Sequence, residues 1–391
     1  MGEGSVEKSL CDFHAKAMGK RRIAHLDMDA FFASVTLLRY PELRGQAVVI
    51  GGRSVPAPQR QADGSLRCAH LRDYTGRGVI TTATYEARAL GVGSAMGIMK
   101  AAKLAPEALL LPADFDAYRH HSRLFKAAVR EIAPLLEDRG IDEIYLDLSQ
   151  HAEDSASLGL RLKRVVFDAT GLRCSVAIAP NKLLAKIGSD LDKPDGLTLL
   201  DMSDLPTRIW PLPVRKINGI GPKASEKLEA LGIHTIGELA DAEPGWLQQH
   251  FGRNYGHWLH EVAHGIDERG VVTHSDPKSV SRETTFARDL HPRTDRNELS
   301  ALFTGLCERV AGDLAAKGVC ARTIGIKLRY ADFSTVTRDI SLPEATADPA
   351  MIRRAAGECL KRVALEKRLR LLGVRASQLS VRGPEQGSLS L

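Results

Sequence analysis

The sequence has no apolar run long enough to cross a membrane. A membrane-spanning helix needs about 18 or more consecutive apolar residues, and none of the apolar runs approaches that length. Residues 1–20 include Glu3, Glu7 and Asp12 and have no apolar core of a signal peptide. We therefore expect a cytoplasmic protein without a membrane segment, in which residues 1–20 form a loose tail.

Paired cysteines are also missing. The six cysteines are scattered, and no two of them form a C-x-x-C pair. This argues against a zinc knuckle or a disulfide framework and is typical of a protein from the reducing cytoplasm.

Length and charge indicate the number of domains and the kind of partner. With 391 residues, 43% of them hydrophobic and 26% charged, the chain is expected to form two to four globular domains. The net charge of +6 is concentrated, because residues 276–381 contain 19 Lys and Arg against 13 Asp and Glu. A local basic bias is the electrostatic footprint of a polyanionic partner, although a solvated surface is the alternative.

Two adjacent acids, Asp142 and Glu143, stand before a β-like run of residues 144–148. Adjacent acids enter a core only when a positive group compensates them, and a divalent metal does so through carboxylate oxygens. More than a hundred residues earlier, Asp27 interrupts another apolar strand. Three carboxylates from two strands are what a two-metal phosphoryl-transfer site requires.

Hydrophobic periodicity organises the first half of the chain into strands and helices. The order β-α-β-β-α-β fits a ferredoxin-like sheet backed by helices. The arginine-rich segment 53–78 has little periodicity, so we predict a disordered loop there, with template contact as the alternative. The predicted strands cover 21–30, 47–50, 79–83, 109–111, 141–148 and 174–179, and the predicted helices cover 85–90, 96–104, 116–136, 157–168 and 181–190.

A glycine hairpin, INGIGPK at 217–223, precedes predicted helices at 224–231 and 236–240. Gly219 and Gly221 allow close approach of the backbone, and the amides at the start of the following helix suit a phosphate. A helix-hairpin-helix is therefore predicted, with an ordinary helical hairpin as the alternative.

A second β-α-β-β-α-β unit follows a polar linker at 271–279, and it is the basic unit. The last fifteen residues are rich in Gly, Ser, Pro and Gln, which predicts disorder. The predicted elements are strands 280–287, 321–330, 333–341 and 370–376 and helices 297–316 and 348–365.

Several motifs, in order along residues 21–376, resemble the Y-family (translesion) DNA polymerases, and most of all the DinB, or DNA polymerase IV, branch. Each motif alone is weak, and their common order carries the resemblance. They are LDMDAFFAS (26–34), YEAR (85–88), IDEIYLD (141–147), NKLLAKI (181–187), KPDG (193–196), INGIG (217–221), KSVSRETTF (278–286) and RLLGV (370–374).

The resemblance implies an α+β, multidomain right-hand polymerase. Its parts are a tail (1–20), a ferredoxin-like palm (21–205) with small fingers inserted at about 32–94, a helix-hairpin-helix thumb (206–270), a linker (271–279), a little finger of β-α-β-β-α-β order (280–376) and a flexible tail (377–391).

The implied function is low-fidelity, template-directed DNA synthesis from dNTPs on primer-template DNA, for translesion synthesis in DNA damage tolerance, by a monomer. One alternative is a non-catalytic mutasome scaffold that binds DNA and the clamp, but the three acids argue against it. Another is a two-metal palm enzyme such as a nucleotide cyclase, which does not need the helix-hairpin-helix or the basic second unit.

The resemblance also implies roles for individual residues. Two Mg²⁺ ions, with Mn²⁺ as a substitute, are held by Asp27, Asp142, Glu143 and the main-chain carbonyl of Met28. Phe32 matches the steric gate against ribose, although a core aromatic is the alternative. An exposed helix arginine is the alternative for Arg88. The residues expected to bind the nucleotide are Phe32, Thr82, Tyr85, Arg88 and Lys193.

DNA contacts outside the cleft are expected to be to phosphates, and hence salt-dependent. The C-terminal sequence QGSLSL resembles a sliding-clamp-binding peptide, with Gln386, Leu389 and Leu391 as its anchors. The expected DNA-binding residues are Gly219, Ile220 and Gly221 in the thumb and Arg282, Arg322, Lys327, Arg329 and Arg338 in the little finger.

Some residues have no direct counterpart in the family's pattern. Gly140 stands where the family commonly has a serine. Asp29 matches no metal ligand, so a helix cap or an acid supporting the site is expected. Lys182 and Lys186 are interpreted as lysines on the face of a helix.

Overall fold

The structure is a computed structural model that describes residues 21–52 and 55–381. The chain divides into two compact units, with the boundary between His274 and Ser275. Within the described residues, no helix combines the length and apolar character needed to cross a membrane.

The first unit contains two sheets, a short hairpin and ten α-helices among the residues that the structure describes. Its strands are β1 (Ile23–Met28), β2 (Val48–Gly51), β3 (Gln59–Arg60), β4 (Leu66–Arg67), β5 (Ala69–His70), β6 (Ile80–Ala83), β7 (Leu109–Leu111), β8 (Leu136–Asp138), β9 (Glu143–Asp147), β10 (Cys174–Ala179) and β11 (Leu197–Leu199). Its helices are α1 (Phe31–Arg39), α2 (Tyr85–Ala89), α3 (Ile98–Leu104), α4 (Phe115–Arg130), α5 (Ser155–Thr170), α6 (Lys182–Gly188), α7 (Pro222–Ala230), α8 (Ile236–Ala240), α9 (Pro244–Phe251) and α10 (Arg253–Ala263).

The first sheet has the strand order β11-β10-β1-β9-β8. Strand β1 pairs antiparallel with β9 and β10, and β11 is added parallel to β10. The order β10-β1-β9-β8 is that of a ferredoxin-like sheet, which confirms the prediction. Alternate residues of β1, among them Leu26, enter a core that also contains residues of α4 and α5. Ile23, on the other face of the strand, enters a second core with residues of α6 and α7 to α10.

The predicted helix 116–136 is wrong at its C-terminal end. Helix α4 ends at Arg130, and the edge strand β8 begins at Leu136. Pro134 lies between them, and proline disfavours helical conformation at the residue before it. The apolar spacing of the sequence continues through Ile132, Leu135 and Leu136, but in the structure Leu136 is buried in the strand while Leu135 is 49% exposed.

The prediction of disorder for 53–78 is wrong for the part described, 55–78. Strand β5 pairs with β7 in a sheet of order β5-β7-β2-β6, and β3 and β4 form a hairpin. Leu71 is fully buried in the fingers core, and the backbone amide of Gly78 donates to the Tyr74 hydroxyl at 2.9 Å. This segment is held by isolated contacts such as those of Leu71 and Tyr74. Isolated buried residues produce no repeating apolar pattern, so the sequence does not show that the segment is ordered.

Residues 206–270 contain the predicted glycine hairpin between short helices. Helix α7 follows Gly221, and a Thr235–Glu238 capping box starts α8. Gly219 has φ +116°, and a Cβ atom there would lie 2.7 Å from the Trp258 ring, so both conformation and space require glycine.

The second unit contains β12 (Ser279–Leu290), α11 (Arg296–Ala316), β13 (Val319–Tyr330), β14 (Thr335–Thr346), α12 (Pro349–Lys361) and β15 (Leu369–Val381). This element order confirms the prediction, and β15 extends five residues beyond the predicted strand end. The strand order, β12-β15-β13-β14, differs from that of the first sheet because the last strand lies between the first two. Element order alone does not distinguish these two arrangements.

We predict that Gly219→Ala destabilises the protein by about 1–3 kcal/mol, because an alanine there is strained at positive φ and collides with Trp258. Gly221→Ala is the matched control, since its Cβ would meet nothing within 4 Å and its φ is −79°. Denaturant unfolding of both variants checks this, and equal stabilities would contradict it.

Candidate active site

The sheet register brings the two acidic stretches together. Asp27 on β1 is the direct cross-strand partner of Glu143 on β9, and the Met28 amide donates to the Asp142 carbonyl at 3.0 Å. Because side chains alternate along a strand, Asp27 and Glu143 share a face with Ile23 and Tyr145, which belong to the core containing α6. Acids more than a hundred residues apart therefore become neighbours.

Two lysines neutralise this acidic pair. The Lys186 Nζ lies 3.0 Å from Asp27 Oδ2 and 2.6 Å from Glu143 Oε2, and the Lys193 Nζ lies 2.7 Å from Asp27 Oδ1 and 2.9 Å from Asp190 Oδ1. The interpretation of Lys186 as an ordinary helix-face lysine is wrong. A signal was present, since Lys186 stands among Leu, Ala and Ile, and a lysine in such a context needs a carboxylate partner.

The same interpretation is wrong for Lys182. This residue is 6% exposed, and its Nζ lies 2.6 Å from Oε2 of Glu137, which is 5% exposed. The first lysine of the motif thus forms a buried ion pair away from Asp27 and Glu143, and it also donates to the Gly270 carbonyl at 3.3 Å.

The three acids have different electrostatic environments. His25 and Lys186 lower the pKa of Glu143 to about 2, against the opposing effect of burial. Burial, followed by the negative charges of Asp27 and Glu143, raises the pKa of Asp142. Burial disfavours the charge on Lys186, but the two carboxylates outweigh it and raise the pKa of its ammonium group.

His25 completes this cluster beneath the acids. It is fully buried, its Nδ1 lies 2.8 Å from the Ser189 hydroxyl, and burial lowers its pKa. Among the residues that the structure describes, its Nε2 has no hydrogen-bond partner, and it lies 3.5 Å from Glu143 Oε2.

The donor atoms fit a divalent metal. One ligand atom from each of His25, Asp27 and Glu143 lies within 4.8 Å of the others, and the set combines two carboxylates with a buried imidazole nitrogen. Carboxylate oxygens are ligands of Mg²⁺ and Mn²⁺, and imidazole suits transition ions better than Mg²⁺.

A cleft of about 150 Å³ contains most of the predicted nucleotide-binding residues. Glu143 and Tyr85 do not line this cleft, although Tyr85 contacts Asp29 behind it. The predicted residues that line it are Asp27, Met28, Phe32, Thr82, Arg88, Asp142 and Lys193. A cleft in which acids and cations face each other is typical of a phosphoryl-transfer site.

Phe32 has a fixed orientation at this cleft. Its ring stacks on Tyr118 at a centroid distance of 4.4 Å, and Phe115 packs edge-on at 5.8 Å. The Tyr118 hydroxyl lies 3.1 Å from Thr36 Oγ1, which holds the stacking partner in place. Phe32 is therefore packed like a core aromatic on one side while it faces the cleft on the other.

Asp29 is a supporting acid, and the expectation of a helix cap is wrong. Ala30, with φ 42°, precedes α1, and no side chain caps that helix. The Asp29 carboxylate is buried and accepts hydrogen bonds from the Ser175 hydroxyl at 2.8 Å, the Asp195 amide at 2.8 Å and the Tyr85 hydroxyl at 3.4 Å. It thereby joins the loop that carries Lys193 to the helix that carries Tyr85 and Arg88.

Arg88 is held in place by the end of strand β6 and by Tyr85 of its own helix. Its guanidinium donates to the Ala83 carbonyl at 3.0 Å and to Thr82 Oγ1 at 3.4 Å, and it lies over the Tyr85 ring at 5.0 Å. Arg88 is exposed on its helix, as the alternative expects, and it also lines the cleft. The Tyr85 hydroxyl stays protonated, because burial and the charge of Asp29 raise its pKa to about 12.

The turn before the acids tolerates either glycine or serine. Gly140 accepts from Lys126 Nζ at 2.6 Å through its carbonyl, and its amide donates to Asp138 Oδ1 at 3.2 Å. A Cβ at this position would have only ordinary contacts, the closest at 3.7 Å. Main-chain contacts therefore hold the turn without a serine.

In the second unit, the register separates the predicted DNA-binding cations between two faces. Arg282 and Arg338 lie in one cross-strand row with the buried Val374 and Ile326, so they are on the helix-covered face. Arg282 also pairs with Asp313 of α11 at 2.6 Å.

The other cations have different surroundings. Lys327 and Arg329 lie on the open face, where Lys327 pairs with Glu283 at 2.9 Å and Arg329 donates to Thr335 at 3.1 Å. Arg322, at an irregularity in the ladder, donates to the Leu342 carbonyl at 3.2 Å. Gln386, Leu389 and Leu391 of the predicted clamp peptide lie outside the described residues.

Known proteins resemble this chain over nearly its whole length. Residues 26–190 match the impB/mucB/samB family, residues 277–389 match the C-terminal domain of that family, and residues 212–266 match the HhH motif of DNApol eta/Rev1. A solved Y-family DNA polymerase chimera has a TM-score of 0.75 at 22% identity and covers 92% of this chain and 99% of its own, which supports the fold.

Curated relatives show the family. A DNA polymerase IV of Streptomyces coelicolor is 39% identical over 92% of this chain and 71% of its own length. Another, from Methanoculleus marisnigri, is 39% identical over 95% of this chain and 98% of its own. The chain therefore belongs to the Y-family DNA polymerases, in the DinB (DNA polymerase IV) branch. It is a DNA-directed DNA polymerase of the translesion class, which takes template DNA and deoxynucleotides and depends on a divalent metal.

We predict that Asp29→Asn destabilises the protein by about 1–3 kcal/mol. The carboxylate of Asp29 accepts hydrogen bonds from Ser175, Asp195 and Tyr85, and the asparagine amide group would place an N–H donor against one of these donors. Asp168→Asn is the control, since that acid forms an exposed ion pair with Arg164. Urea unfolding measures both variants, and an Asp29 variant as stable as the control would contradict the supporting role.

Proposed function

We propose that Asp27, Asp142 and Glu143, with the Met28 carbonyl, hold two Mg²⁺ ions, for which Mn²⁺ can substitute. The observation that carries this proposal is the convergence of Asp27 and Asp142 with Arg88, Lys193 and Phe32 on one cleft. The reaction is attack of a primer 3′-hydroxyl on the α-phosphate of a deoxynucleotide, with pyrophosphate as the leaving group. When bound, the ions activate the hydroxyl and neutralise the charge that develops on the phosphates.

The chain's own cations bind and orient the triphosphate in this proposal. Arg88 and Lys193 line the cleft with Thr82, and each is already held by a neighbouring group. The hydroxyl of Tyr85, which is protonated at neutral pH, donates a hydrogen bond to the triphosphate in this proposal. Because these groups are fixed before the nucleotide arrives, little reorganisation accompanies its binding.

Phe32 excludes ribonucleotides in this proposal. A ring that faces the cleft and stacks on Tyr118 has no free space to move into when a 2′-hydroxyl approaches. Sugar selection therefore depends on the support behind the ring as well as on the ring itself.

DNA binding is proposed to use main-chain amides in the thumb and open-face cations in the second unit. The backbone of Gly219, Ile220 and Gly221 contacts one strand through phosphates. Lys327 and Arg329 are better candidates for phosphate contact than Arg282 and Arg338, because no helix within residues 275–381 covers the open face. Such contacts to phosphate give salt-dependent binding without sequence preference.

The remaining parts of the proposal rest on the sequence and the family. The chain acts as a monomer in the cytoplasm with low fidelity, and its C-terminal peptide binds a sliding clamp. Palm (21–205, with the fingers inserted at about 32–94), thumb (206–270), linker and little finger (280–376) are its working parts. A non-catalytic scaffold finds no support, since all three acids are present.

Primer extension on an undamaged template with Mg²⁺ tests the proposed site. Wild-type protein is expected to extend primers in short, distributive steps, and Glu143→Ala is expected to lose about three powers of ten or more in rate. Asp168→Ala, which removes an exposed acid, is expected to retain full activity. Extension by Glu143→Ala at the wild-type rate would refute the assignment.

The steric gate has its own test. We expect Phe32→Ala to raise ribonucleotide incorporation relative to deoxynucleotide incorporation at least about tenfold, because the 2′-hydroxyl then meets no ring. Phe167→Ala removes a phenylalanine that is 44% exposed on α5, and it should leave the ratio unchanged. Single-nucleotide insertion assays give the ratio, and an unchanged ratio in Phe32→Ala would refute the gate.

A further inference from the structure

Helix α6 presents Lys186 to the acids from a rigid position. All residues of α6 except Lys186 itself are buried. The Asn181 side chain caps the helix through the Leu184 amide at 3.0 Å and donates to the Gly265 carbonyl at 2.7 Å. At the other end, Ser189 Oγ contacts both His25 Nδ1 and the Lys186 carbonyl, at 2.8 and 3.0 Å. The backbone that carries Lys186 is therefore fixed, and only its side chain can move.

The Lys186 ammonium group bridges two of the three acids. It lies 3.0 Å from Asp27 Oδ2 and 2.6 Å from Glu143 Oε2, and its side chain is 19% exposed. Lys193 makes a different contact, since it pairs with the other oxygen of Asp27 and with Asp190. Lys186 thus stands between the carboxylates that lie together with His25 in the candidate metal cluster.

One position between two carboxylates cannot hold an ammonium group and a divalent ion together. Both cations use the same oxygen lone pairs, and like charges a few ångströms apart in a partly buried cleft repel strongly. A metal that binds Asp27 Oδ2 and Glu143 Oε2 must therefore displace the ammonium group.

We propose that Lys186 is an internal counter-cation of the catalytic acids, which holds Asp27 and Glu143 together until a divalent ion displaces it. This rests on the proposed function of these acids as metal ligands. Lys186 is a positioning residue in this view. It stabilises the ion-free enzyme, and because each ion must compete with it, it also raises the concentration of metal at which the site fills.

Metal binding measured without turnover tests the proposal. Lys186→Met keeps the length of the side chain and removes its charge, and Lys186→Gln is a second neutral variant should the first fail to fold. Mn²⁺ binding is followed by electron paramagnetic resonance, and thermal unfolding is followed with a chelator and with saturating Mn²⁺. We expect the neutral variants to bind Mn²⁺ at least about fivefold more tightly and to unfold at a lower temperature in chelator.

Two controls separate this role from a general structural one. Lys186→Arg keeps the charge and should restore a Mn²⁺ affinity within about twofold of the wild type. Lys163→Met removes another part-buried lysine, which pairs with Asp195 at 2.8 Å, and should leave the Mn²⁺ affinity unchanged. Unchanged or weaker Mn²⁺ binding in the neutral Lys186 variants would overturn the proposal.

The experiment also distinguishes this inference from the proposed function. Asp27→Asn should abolish the tight Mn²⁺ binding of the wild type. If the wild type shows no binding that depends on Asp27, both the metal site and the counter-cation role are refuted. If binding depends on Asp27 but neutral Lys186 variants bind no more tightly, only the counter-cation role is refuted.

Discussion

Repulsion between carboxylates is the constraint on which the site depends. Asp27, Asp142 and Glu143 share a partly buried region, where burial and, after it, the charges of Asp27 and Glu143 raise the pKa of Asp142. The chain offsets this with Lys186 and Lys193, which come from the helix and the loop directly after β10. Both cations thus reach the acids from one continuous segment, so a displacement of this segment changes the charge balance of the whole site.

Helix α6 also connects the site to the base of the thumb. Its first residue, Lys182, forms a buried ion pair with Glu137, and Glu137 accepts a hydrogen bond from the Val272 amide at 2.7 Å. The Leu183 amide donates to the Asp267 carboxylate at 2.9 Å. One end of α6 thus anchors the chain after the thumb helices, while Lys186 near the other end contacts the acids. The motif NKLLAKI therefore combines anchoring of the chain with electrostatic support of the site.

A polymerase that tolerates altered templates still needs a firm grip on the incoming nucleotide. In the proposed function, the contacts behind the cleft meet this need. Tyr118 stacks on Phe32, Asp29 joins the loop of Lys193 to the helix of Tyr85, and Arg88 is held by a main-chain carbonyl and a hydroxyl group. The second unit differs, because its proposed contacts are exposed cations on one face of a sheet. In the proposed function, rigid groups select the sugar and exposed groups bind phosphate, which suits an enzyme that acts on any sequence.

The sequence by itself determined the family and the element order of the second unit, because these depend on short motifs and periodicity. In the first unit it missed the edge strand β8, which it assigned to a helix. Pro134 shows a limit, since local apolar spacing continued through a helix end. Only the tertiary structure decided that Lys186 contacts the acids, that residues 55–78 are anchored by Leu71, and that Arg282 and Lys327 lie on opposite faces. Each of these depends on strand register or on long-range packing, and neither is encoded in the spacing of nearby residues.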